Sequence, residues 1–78
     1  MSEDNILGWL QLGSYLNVVQ AIKTSPKTAK ELSRITNISD IKIAEMLGIL
    51  EKAQAIEYTG NGWKITELTQ KVLSKYFE

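Results

Sequence analysis

The chain contains no cysteine and no histidine. Without cysteine there is no disulfide, no thiolate nucleophile and no thiolate zinc site. Without histidine the commonest general base and the commonest metal ligand are both missing. Serine, threonine, lysine and tyrosine remain as nucleophile types, with no imidazole to activate them. No Gly-rich phosphate loop is present either. These absences point to a binding protein rather than an enzyme, with no cofactor and no metal. No stretch approaches the ~20 consecutive apolar residues that span a bilayer. The first residues, Met1-Ser2-Glu3-Asp4-Asn5, are acidic where a signal peptide is basic. A cytoplasmic location without membrane contact is the expectation. An excess of one charge is lacking too: nine Lys and Arg balance nine Asp and Glu. Neutrality argues against a protein that coats a polyanion along its whole surface.

What is present is a chain of 78 residues, 44% hydrophobic, which is the composition of a folded globule. Its length is that of one domain, residues 1–78. Apolar residues recur at helical spacing from Ile6 to Lys23. Leu12, Tyr15, Leu16, Val19 and Ile22 share one face. Ile6, Leu7, Leu10 and Val18 make a second apolar face, so this helix needs two surfaces to bury against. Gly8 and Gly13 weaken it locally and mark a kink or a late start.

The only proline, in Ser25-Pro26-Lys27, ends the first helix. Thr28-Ala29-Lys30-Glu31 reads as a capping box that opens a short helix to Thr36, with Ala29, Leu32 and Ile35 inward. Asn37 tolerates the left-handed conformation that ends helices, and Ser39 is an N-cap for the next. That third helix runs from Asp40 to Ala53. Ile43, Leu47 and Leu50 form its buried stripe, with Ala44 flanking. Lys42, Glu45, Ile49 and Lys52 point outward, and Ile41 and Met46 lie at the edges. The period then drops to two. Ala55 to Thr59 and Trp63 to Ile65 read as strands joined at Gly60-Asn61-Gly62, where Gly and Asn supply positive φ cheaply. Thr66 caps a last helix from Glu67 to Phe77. Leu68, Val72 and Tyr76 share its inner face, and Leu73 and Phe77 fall off it.

The expected fold is mainly α with a small β-hairpin, in the order helix-helix-helix-strand-strand-helix. That is the order of a winged helix-turn-helix, in which the later helix of the pair enters the major groove and the hairpin is the wing. From Thr28 to Tyr76 the sequence resembles small winged-helix transcriptional regulators of bacteria and archaea. The likeness is carried by Thr28-Ala29-Lys30-Glu31-Leu32, by Ile43, Leu47 and Leu50-Glu51-Lys52-Ala53, by Ile56-Glu57-Tyr58 and by Trp63-Lys64-Ile65-Thr66-Glu67. It departs where Thr69 replaces a frequent glycine, and where Gln54 or Ala55 replaces the glycine that often follows the recognition helix.

The charges sharpen the reading. Between Lys23 and Lys42 five basic residues stand against two acidic ones, while the rest of the chain has four against seven. The local excess has the right sign for phosphate contacts. The resemblance implies a dimeric, sequence-specific regulator that binds double-stranded DNA, repressing by promoter occlusion. Lys27, Thr28, Lys30 and Arg34 would hold the backbone, Ser39, Ile41, Lys42, Glu45 and Met46 would face bases, and Asn61 and Lys64 would serve the wing. A homodimer seam from the first and last helices would cover Ile6, Leu7, Leu10, Val18, Leu73 and Phe77, with the two recognition helices set for half-sites one turn apart. The alternative is a winged-helix module that binds protein and not DNA. The chain is also similar to the dimerisation domain of O-methyltransferases, which has the same helix order.

Overall fold

A computed structural model describes residues 2–77. The long first helix is in fact two, α1 (Ser2–Leu10) and α2 (Gly13–Ile22), broken at Gln11 and Leu12. Leu12 is extended (φ −86°, ψ 118°) and half exposed, so it leaves the face assigned to it. The break has a physical reason. A straight helix with two apolar faces can bury only one in a domain this small, whereas a bent one folds the first segment back over the core. Ile6, Leu10 and Val18 are each 0% exposed within the single chain, and α1 packs against α2 and the last helix. The flexible Gly13 starts α2, while Gly8 sits inside α1 without breaking it.

Next come α3 (Ala29–Thr36) and α4 (Asp40–Lys52). On α3 only Leu32 is buried; Ala29 and Ile35, expected inward, are exposed. Two turns of helix present one residue squarely to the core, and Ile35 lies instead on a groove with Asn17, Gln20, Ala21 and Thr36. On α4 the buried set is Ile43, Met46, Leu47 and Leu50. This is the i, i+3, i+4, i+7 stripe of an amphipathic helix. Met46 belongs to it, Ala44 is exposed, and Ile49 is half-buried rather than outward.

The end of α4 is a Schellman motif. The Gln54 N–H donates to the Glu51 carbonyl and the Ala55 N–H to the Leu50 carbonyl, both at 2.9 Å. Gln54 holds the left-handed position at φ 64°.

The hairpin pairs β1 (Ile56–Thr59) with β2 (Gly62–Ile65), antiparallel, Glu57 opposite Lys64 and Tyr58 opposite Trp63. Neither Gly60 nor Asn61 has positive φ; in the turn only Gly62 does, at 131°. The reason lies across the sheet. The Trp63 N–H donates to the Lys27 carbonyl at 2.7 Å, and the Lys27 N–H returns to Trp63 at 3.0 Å. A Cβ on Gly62 would stand 2.6 Å from that same Lys27 carbonyl oxygen. Lys27 is thus a one-residue third strand on the open side of β2.

The last helix, α5 (Glu67–Tyr76), starts at Thr66 and buries Thr69, Val72 and Leu73, with Leu68 and Phe77 half-buried. Tyr76 is exposed, which reverses its expected place and that of Leu73. Thr69 donates its hydroxyl to the Ala55 carbonyl at 2.7 Å, so the polar side chain in the core is satisfied. Among the described residues no helix is long and apolar enough to cross a membrane.

Candidate nucleic-acid interface

The α3–turn–α4 unit is fixed by short polar links that its own sequence supplies. The Glu31 N–H donates to the Thr28 hydroxyl at 3.1 Å, and the Thr28 N–H donates to the Glu31 carboxylate at 2.9 Å. Both halves of the capping box are therefore made. The backbone hydrogen bond from Thr28 is the largest influence on Glu31 and holds its carboxyl below the usual value. Asn37 ends α3 at φ 60°, ψ 30°. The Ser33 hydroxyl donates to the Ile38 carbonyl at 2.6 Å, and the Ser39 hydroxyl accepts from the Lys42 N–H at 3.3 Å. The turn between the helices is thereby tied at both ends.

The residues expected to hold a phosphate backbone fall into two groups. Lys30 and Arg34 are exposed, one turn apart on the side of α3 away from Leu32. Lys27 is half-buried; its ammonium donates to the Ser25 hydroxyl at 2.6 Å and lies against its own loop. Ser25 lines a shallow cleft of about 200 Å³ with Lys23, Thr24, Pro26 and Lys64. The hairpin lysine therefore joins the loop before α3 rather than standing alone on the wing. Lys64 also faces Glu57 across the strands at 4.0 Å, with both side chains about half exposed, and such a pair contributes little. Lys23, not assigned to the site from sequence, was legible only in the charge count. Asn61 is exposed at the hairpin tip. The Thr28 and Ser39 hydroxyls already serve as helix caps.

On α4, Ile41, Glu45, Gly48 and Lys52 follow at i, i+4, i+7 and i+11 and are all exposed, flanked by Lys42. Ile41 is 80% exposed. Lys42 and Glu45 form an open ion pair at 3.5 Å. Met46 does not belong to this surface: it is 0% exposed and packs in the core. From Lys27 to Arg34 three basic residues stand against one acidic, but α4 itself carries three acidic against two basic. The positive charge lies beside α4, not on it.

The expected dimer seam is corrected by burial. Ile6, Leu10, Val18 and Leu73 are each 0% exposed in one chain, and only Leu7 and Phe77 keep part of their surface. The bend at Leu12 supplies the cover that a second copy was expected to provide.

Among the described residues no three His, Cys, Asp or Glu side chains gather as a metal site would need. Compared with models of known families, with curated proteins and with solved structures, the chain matches none.

Proposed function

We propose that this chain is a winged-helix DNA-binding domain of a transcriptional regulator, with α4 set into the major groove of double-stranded DNA. The observation that carries the reading is the Lys27–Trp63 bridge, which fastens the hairpin beside the start of α3. The bridge brings the hairpin lysine to the basic loop before α3, and α3, with Lys30 and Arg34 exposed, packs against α4. In helix-turn-helix docking the first helix of the pair crosses the phosphates while the second reads base edges. Lys30 and Arg34 then contact one stretch of backbone, and the Lys64 cleft contacts another.

A gel shift on mixed genomic duplexes, titrated with salt, tests this. With roughly three to four phosphate contacts the logarithm of affinity falls with a slope of about −3 against the logarithm of salt concentration. No shift at low salt overturns the reading. In that event the 80% exposed Ile41 favours the second reading, a module that binds protein through α4.

A further inference from the structure

Three side chains at the start of α4 stand exposed. Ile41 stands 80% exposed in the first turn, although an isoleucine gains nothing from water. The Lys42 ammonium donates to the Glu45 carboxylate at 3.5 Å, with both side chains more than half exposed at 54% and 63%. An ion pair that open contributes little to folding and separates easily. Its chemistry is a donor and an acceptor presented side by side on the outward face of a helix.

We propose that this group sets sequence preference: Lys42 and Glu45 together select a G·C base pair, and Ile41 selects a thymine one or two steps away. The proposal rests on the DNA-binding reading above. In the major groove guanine offers two acceptors, O6 and N7, and its partner cytosine offers the N4 amine as a donor. The ammonium of Lys42 matches the first and the carboxylate of Glu45 the second. An A·T pair also has an amine for Glu45, but it gives the ammonium only single acceptors on either side of that donor. Ile41 makes no hydrogen bond, and the base-edge group complementary to it is the C5-methyl of thymine. Ile41 and Glu45 are one turn apart, with Cβ atoms about 5–6 Å from each other on an α-helix. At about 3.4 Å per base step, that spacing is one to two steps.

Glu45 has a second effect. A carboxylate brought near phosphates repels every duplex and is compensated only where a base amine meets it, which is cytosine N4 where Lys42 also reaches guanine. It discriminates by penalising wrong sequences as well as by favouring the right one.

The test is a binding-site selection from random duplexes at fixed salt, with the unaltered chain, Glu45→Ala and Ile41→Ser. Both positions are exposed, and equal melting temperatures verify that the variants fold. The unaltered chain is expected to enrich a G·C pair with a thymine within two positions. Glu45→Ala loses the cytosine preference by on the order of tenfold and binds unselected duplex more tightly. Replacing the selected thymine by uracil, which lacks the methyl, weakens the unaltered chain but not Ile41→Ser. A selected site without this pair, or a preference that both variants retain, overturns the proposal while leaving DNA binding intact. A change in oligomeric state of the free variants, with DNA preference unchanged, overturns it in favour of a protein surface. Failure of the unaltered chain to shift any duplex at low salt overturns DNA binding itself, before any variant is made.

Discussion

The two halves of this molecule are held by different means. α1 and α2 have little local instruction: Leu12, at the N-cap of α2, makes no side-chain hydrogen bond there, and both helices are kept in place by buried Ile6, Leu10, Val18, Val19 and Ile22. α3, α4 and α5 each start at a hydroxyl cap, Thr28, Ser39 or Thr66, and α3 and α4 each end at a left-handed residue. Burial uses the apolar side chains on the interior and leaves Asp4, Asn5, Gln11, Ser14, Asn17 and Gln20 outside, with no basic residue among them. Capping uses Thr28 with Glu31, Ser39 and Thr66 at the helix ends and leaves the other charged side chains of α3 and α4 open to solvent. Lys30, Arg34, Ile41, Lys42 and Glu45, the residues of the proposed recognition surface, all stand exposed on the capped half.

The widest separation between the halves comes from the interior. Leu10→Ala should destabilise the domain by about 2–5 kcal/mol in denaturant unfolding, as for other large-to-small core changes. It should leave the oligomeric state in sedimentation unchanged, because Leu10 faces its own chain. A loss of association with little loss of stability would restore the seam that burial removes.

On the capped half the effects are smaller and local. Thr28→Ala should cost about 1 kcal/mol, the usual loss for a hydroxyl N-cap. The acid limb of the stability curve depends on the other half of the box, because the Thr28 backbone N–H that lowers the Glu31 pKa most survives in this variant. Glu31 has a folded pKa below its ordinary 4.5, so its contribution is complete above that value. It is lost as the pH falls through the lowered value. Unfolding followed between neutral pH and pH about 3 should show a shallower acid slope in Glu31→Gln, which keeps an acceptor for the Thr28 backbone N–H but does not titrate; an unchanged slope would mean that Glu31 contributes nothing to the acid limb.

Smallest, and opposite in sign, is Gln54→Gly. Gln54 occupies φ 64°, which costs an L-residue about 1 kcal/mol, while glycine adopts it freely. Thermal unfolding should show stabilisation of up to about 1 kcal/mol. A destabilised variant would mean that the Gln54 side chain makes a compensating contribution.

The same division explains what could be read from the residues. The capping box at Thr28 and Glu31, the Asn37 stop and the Ser39 and Thr66 caps are local chemistry, complete within four residues, and the structure has each of them. The bend at Leu12 is not local; it arises because two apolar faces compete for one core. Met46 lies in the α4 core stripe and Ile49 at its edge, and periodicity alone leaves open which of the two is buried until neighbours decide it. Tyr76 and Leu73 exchanged places on α5 for the same reason. The Lys27–Trp63 bridge is one residue long and gives no alternating pattern to detect. Of the candidate surface, the exposed charged residues were legible by type and spacing. The cleft that Lys64 shares with Lys23 and Ser25 was not, because it depends on where the hairpin lands.

The one-residue strand at Lys27 also sets where this chain tolerates a change of length. Lys27 pairs with Trp63 and directly precedes the Thr28 cap, so an inserted residue there slips the sheet register and the start of α3 together. The hairpin tip has no such double duty. Gly60 and Asn61 are exposed, with open space around Gly60, and extra residues there break only the local Thr59 hydroxyl bonds to Asn61 and Gly62. Homologous chains should thus vary freely in length at the tip and keep a fixed count from the end of α2 to the start of α3.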